Sequence, residues 1–226
     1  MPVLELYHGS QRIISQPEYG AGRARNDYGR GFYCTEHLDL AREWAVGENR
    51  DGYANRYTLE TEGLSFLDLN GPEYTILHWL AVLLQNRTFD IRAPLPLEAR
   101  EYLIAHFPVP YEHADLIRGY RADDSYFSFA QDFLNGLISL RQLARAMHLG
   151  KLGEQVVVKS RRAFECLEFQ EAVFAPAFGW YPRREARDAE ARRAYFDVER
   201  NRRQPGDIYI IHILDEEVGP DDPRLR

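Results

Sequence analysis

YGRGFYCTEHLDLAREW, Tyr28 to Trp44, decides how this 226-residue chain is read. Its glycines, Gly29 and Gly31, let the backbone turn tightly or come close to a bound group. Phe32, Tyr33 and Cys34 form a short aromatic run of the kind that favours a strand. Thr35 is a helix-capping residue type. Leu38, Ala41 and either Trp44 or Ala45 then share one face at helical steps. A glycine-framed strand therefore feeds directly into an amphipathic helix, with Tyr33 expected on the wall of a cleft.

Upstream, Val3 to Tyr7 (VLELY) reads as a strand ending in His8-Gly9-Ser10. Such a triplet is either a turn with a solvated histidine or a strand end presenting its N–H and C=O to a ligand. Gln11 to Pro17 reads as a short helical turn. Glu18 to Asn26 is a glycine- and arginine-rich loop.

Downstream, Tyr53 to Leu69 holds two strand candidates, and Gly71-Pro72 breaks the chain. Helices are expected over Glu73–Gln85, Leu97–Phe107 and Ser139–His148, with a short strand or buried loop at His113–Tyr120. Together they form a helical insertion over about residues 72–150. Gly153 to Lys159 (GEQVVVK) is the clearest buried strand, followed by a helical turn and a strand at Cys166–Phe174. A charged helix over Arg183–Asn201, solvated on most faces, and a last strand at Asp207–Leu214 complete a C-terminal part of about 182–215. No linker divides the chain, so residues 1–226 read as one domain of α+β class.

The net charge of -7 opposes a general grip on nucleic-acid phosphates. Two distant cysteines, Cys34 and Cys166, suit a reducing compartment, and no Cys/His spacing suggests zinc. Neither a signal peptide nor an apolar run long enough for a bilayer is legible, so no membrane partner and a cytoplasmic location are expected.

The strand end at His8-Gly9-Ser10, the Gly-x-Gly-Phe-Tyr strand with its helix, and the strand opening at Gln155 together resemble the ADP-ribosyltransferase superfamily. The similarity is to the branch containing the poly(ADP-ribose) polymerase and diphtheria toxin catalytic domains. Closer still are small bacterial ADP-ribosyltransferase-like domains, some encoded beside small partner proteins as toxin–antitoxin pairs. Those also carry a helical insertion, an Ala-Asp-Asp segment and Gln at the third position. The resemblance covers residues 4–174 and implies a split β-sheet fold with a helical insertion.

It also implies roles. His8 would bond the adenosine ribose of NAD, Gly9 the nicotinamide amide through its backbone, and Ser10 would support that amide. Tyr33 and Trp44 would cover the two faces of the nicotinamide ring. Gln155 would accept from the nicotinamide-ribose 2′-hydroxyl, where the polymerases carry Glu. Arg23, Arg25 and Arg30, flanking Gly31, could clamp the pyrophosphate or lie in a solvated loop. Asp123 and Asp124 are either a helix cap with a salt-bridge partner or carboxylates reaching the cleft.

NAD is then a substrate, and no metal is needed. The expected reaction transfers a single ADP-ribose to a macromolecular acceptor, protein or nucleic acid, as a toxin restrained by a small antitoxin. An uncharged Gln at position 155 weakens cation stabilisation relative to Glu, since a charged acceptor is worth roughly 1.5–3 kcal/mol against about 1 for a neutral one. The alternatives are an NAD glycohydrolase and an inactive NAD- or partner-binding module. Removal of 2′-phosphates from RNA is disfavoured by the acidic balance.

Overall fold

The computed structural model describes residues 3–89, 91–122, 124–149, 153–197 and 199–225. Its first strand, β1 (Val3–Ser10), runs antiparallel to β3 (Gly52–Glu60), and β3 to β7 (Leu167–Ala175), giving one sheet in the order β1-β3-β7. A second sheet runs β2-β6-β5-β4, from β2 (Phe32–Cys34), β6 (Glu154–Val158), β5 (Leu116–Tyr120) and β4 (Phe66–Asp68). Its pairs are antiparallel except β4 with β5. The sheets touch through one bridge: Tyr7 N–H and C=O bond the C=O and N–H of Thr35 at 2.8 and 2.9 Å. The architecture is α+β with two sheets.

The three valines of β6 explain the layering. Side chains alternate across a strand, so neighbours face opposite cores. Val156 and Val158 join Leu6, Cys34, Leu59 and Leu116 between the sheets. Val157 instead joins the large core built with the helices. Burying each valine contributes about 1.5–3 kcal/mol, and no polar residue could replace one without a partner.

The large core is roofed by α2 (Ile76–Asn86), α3 (Pro94–His106), α4 (Asp124–Leu134) and α5 (Leu140–Ala146). These match the expected insertion, and of the two readings of His113–Tyr120 the strand holds, as β5. α2 is buried along most of its length because Leu77, Trp79, Leu80 and Leu83 cover more than one face. After β6, the one-turn α6 (Arg161–Glu165) leads into β7. α7 (Ala177–Asp197) follows and packs on α1 (Leu38–Ala45).

Three local expectations are corrected. Gln11–Pro17 contains no helical turn; it is an irregular, bent segment that Asn55 holds, its amide donating to Arg12 C=O and accepting from Ile14 N–H. His37, not Thr35, stands at the N-cap position of α1 and makes no side-chain cap bond; the Thr35 backbone bridges to Tyr7 and its hydroxyl accepts His37 N–H at 3.2 Å. Asp207–Leu214 is no strand: it holds the helix α8 (Ile210–Asp215). DIYIIHIL satisfies both periods over so few residues, and Ile210 and Ile213, one helical turn apart, both bury fully.

Candidate functional site

A cavity of about 310 Å³ is lined from both sheets, its lining beginning at His8, the residue after the bridge of Tyr7 with Thr35. His8 and Gly9 line it from the end of β1, Tyr33 from β2, Trp44 from α1 and Gln155 from β6. Stretches far apart in the chain thus meet as expected. A larger cavity of about 590 Å³, lined by residues such as Leu69, Ile76 and Leu140, contains none of the expected site residues.

His8 is half-buried and stacks on Phe32 with ring centroids 4.3 Å apart. Its Nδ1 lies 2.7 Å from the Tyr33 carbonyl. A carbonyl only accepts, so Nδ1 carries the hydrogen, and in the neutral ring Nε2 is an acceptor. Burial lowers the pKa of His8 below the ordinary 6.5, outweighing the bond to Tyr33, so the neutral form prevails at pH 7.

Gly9 answers two demands. A Cβ there would lie 2.3 Å from the Ala41 carbonyl oxygen and 2.9 Å from Trp44 Cβ, so glycine is fixed by the close packing of α1 on β1. The peptide edges point elsewhere. Tyr7 N–H and C=O face away from β3, and strand alternation turns those of Gly9 the same way, into the gap between the sheets.

The Tyr33 ring is a wall held at its far end. Its hydroxyl donates to Gly29 C=O at 2.6 Å and accepts from Tyr28 N–H at 3.0 Å. Burial pushes the phenol well above its ordinary value of 10, so it is not a base at neutral pH. Gly29 turns the loop there with φ of +73°, where a side chain would strain. Lys159 Nζ holds the same loop through Tyr28 C=O at 2.6 Å. Trp44 also lines the cavity, with the Arg121 guanidinium 4.5 Å over its ring.

Gln155 is buried and the preceding Glu154 exposed, as alternation requires. Its Nε2 donates to Asp27 Oδ2 at 2.8 Å and lies 3.4 Å from Tyr120 C=O. Asp27 is 3% exposed, ion-paired to Arg87 at 2.9 Å, and accepts Ala122 N–H at 2.9 Å.

Other expected residues fall elsewhere. Ser10 accepts from Arg12 N–H in a local turn and is not part of the cavity lining. Arg30 reaches back to Gly20 C=O across an exposed loop, and Arg23 and Arg25 are exposed. Gly31 packs against Val157 and Val158 of β6 and so supports β2 without lining the cavity. Asp123 lies outside the described residues. Asp124 opens α4, and its side chain is likewise outside them.

The arginines that do line the cavity were not singled out from sequence: Arg87 after α2, Arg121 after β5 and Arg184 on α7. Arg184 also bonds Val46 C=O, and the neighbouring Arg187 makes a two-pronged pair with buried Glu43 at 2.8 and 2.9 Å. α7 is therefore tied to α1 on one face and, as expected, solvated on most of the others. Nothing in the local sequence distinguishes these arginines from surface ones. Asp27 alone had a signal, its place just before Tyr28 and the glycine–aromatic stretch.

Asp27 is the only carboxylate among the described lining residues, against three guanidinium groups. The cavity thus combines aromatic walls, a neutral imidazole and an excess of positive charge, which suits a planar ring joined to an anionic group. Among the described residues no cluster of His, Cys, Asp and Glu could hold a metal, and no helix is long and apolar enough to cross a membrane.

No curated protein and no solved structure matches the chain. A family model described as a protein of unknown function, DUF3990, matches residues 4–169, and the chain belongs to that family.

Proposed function

We propose that this member of the family cleaves NAD at the nicotinamide–ribose bond and transfers one ADP-ribose to a macromolecular acceptor, on a split-sheet ADP-ribosyltransferase fold. The observation that carries the reading is the convergence of His8, Gly9, Tyr33, Trp44 and Gln155 on one cavity that also holds arginines. Family likeness alone extends it to a bacterial toxin acting in the cytoplasm beside a small antitoxin protein.

The chemistry follows from the groups present. The Gly9 peptide edge suits a carboxamide, which needs one donor and one acceptor side by side. The Tyr33 and Trp44 rings sandwich the pyridinium, each good contact giving about 0.5–1.5 kcal/mol beyond burial. Nε2 of neutral His8 accepts from an adenosine-ribose hydroxyl. Arg121 and Arg184 face the pyrophosphate. The glycosidic C–N bond then breaks heterolytically. Both electrons leave with nicotinamide, which becomes neutral, and the ribose becomes an oxocarbenium-like cation. Gln155 accepts from its 2′-hydroxyl. An acceptor nucleophile closes the new bond at C1′ and gives up its proton.

The test is incubation with NAD labelled in the adenylate and, separately, in nicotinamide, with cell extract as acceptor source. The reading expects released nicotinamide and a labelled macromolecule, both abolished by His8→Ala and Tyr33→Ala. Nicotinamide without a labelled macromolecule makes the chain a glycohydrolase. NAD bound and never cleaved makes it a binding module and overturns the reaction.

A further inference from the structure

The residue replacing the expected glutamate is not alone: it is bonded to a buried carboxylate that immediately precedes the glycine–aromatic stretch. We infer that Asp27 is a positioning residue for the reaction proposed above, on which this inference rests. It fixes the amide of Gln155 and lends it negative charge, so that the two side chains together do the work of a single glutamate.

The geometry runs in one direction. The Asp27 carboxyl accepts three bonds among the described residues: from Gln155 Nε2 at 2.8 Å, Ala122 N–H at 2.9 Å and Arg87 Nη1 at 2.9 Å. A protonated acid would have to donate one bond itself, so the site is built for the carboxylate. Burial raises the Asp27 pKa, and the bonds from Gln155 and Ala122 and the charges of Arg87 and Arg121 oppose that rise. A buried charge held by so many donors costs desolvation that a packing role does not require.

The consequence for Gln155 is specific. A glutamine amide can sit either way round, and only the oxygen can accept a ribose hydroxyl. Committing Nε2 to Asp27 leaves Oε1 as the acceptor. The charge-assisted bond also polarises the amide, making Oε1 a stronger acceptor than that of a solvated glutamine. Arg87, at the end of α2, anchors Asp27 from the insertion, so the insertion sets the third position as well as roofing the core.

The test measures nicotinamide release from NAD by the wild type, Asp27→Asn, Gln155→Glu and the double variant Asp27→Asn/Gln155→Glu. Thermal melts show which of them fold. Asp27→Asn keeps the shape and removes the charge. The expected result is a fall in kcat on the order of 10- to 100-fold with KM nearly unchanged, and recovery of at least tenfold in the double variant, where one carboxylate has moved across the bond. Gln155→Glu alone sets two carboxyls against each other, and its rate is expected to acquire a pH dependence that the double variant lacks. A purely structural Asp27 would shift the melt and give no recovery.

Folded Asp27→Asn with wild-type kcat overturns the inference and leaves the reaction standing, as does a folded double variant no faster than Asp27→Asn. A wild type that releases no nicotinamide overturns the reaction itself, and the inference falls with it.

Discussion

The imidazole of His8 donates from Nδ1 to the backbone carbonyl of Tyr33 at 2.7 Å, joining one sheet to the other beside the cavity. The bond fixes the tautomer, and burial fixes the charge. Because the folded pKa is depressed below 6.5, the unfolded chain takes up its proton first as pH falls. The neutral ring's contribution to stability is therefore complete above 6.5 and is lost as pH drops through the lowered folded value. The His8 ring is expected to stay neutral between pH 7 and 6.5, which NMR titration of its ring protons checks. His8→Ala should abolish nicotinamide release.

The Tyr33 hydroxyl and ring have separable duties. Tyr33→Phe deletes the bonds to Gly29 and Tyr28, at about 1 kcal/mol each, while keeping the wall. A lower melting temperature with near-normal NAD affinity is expected. Tyr33→Ala removes the wall too, and NAD affinity should fall at least about tenfold. Calorimetric titration of both variants distinguishes the two duties.

Gly9→Ala is expected to be severe for packing reasons. Its Cβ would meet the Ala41 carbonyl oxygen at 2.3 Å, and backbone cannot rotate aside as a side chain can. Overpacking of this kind costs about 1–3 kcal/mol or more, and relief requires α1 to move outward with Trp44. Urea denaturation and tryptophan fluorescence should report both effects together.

Glu43 and Arg187 tie α7 to α1, and Arg184 rides on the same helix. Glu43 is 4% exposed in its side chain and Arg187 28%, so the pair is only partly shielded. Glu43→Ala takes the two-pronged bond from the guanidinium; breaking a buried pair costs about 3–5 kcal/mol, and this partly exposed one should lie at or below the lower end. Replacing both by apolar residues, Glu43→Leu with Arg187→Met, should restore much of the stability without restoring NAD affinity if Arg184 has shifted. Denaturation and binding titrations of the two variants check this.

Asp115 supplies the clearest acid-sensitive contact. Burial raises its pKa, but bonds from Ser160, Ser65 and Arg162 outweigh that and hold it at about 2. It links the start of β5 to the segments before β4 and after β6. A depressed carboxyl contributes stability that is present above the unfolded value and lost as pH falls toward the folded one. The contribution, on the order of 2 kcal/mol, should disappear between about pH 4 and 2. Asp115→Asn should flatten that stretch of the stability profile.

The sequence by itself determined the strands, most of the helices and the members of the site that sit at motif positions. Valines in succession, a glycine-framed aromatic run and a His-Gly strand end are local patterns, and local patterns survive without knowledge of neighbours. DIYIIHIL failed because eight residues satisfy two periods, and only the core that receives Ile210 and Ile213 chooses between them. The tertiary structure alone decided the charges around the cavity. Asp27 meets Gln155 across 128 positions and Arg87 across 60, and charge interaction depends on distance in space, which an arginine's immediate neighbours in the chain do not encode.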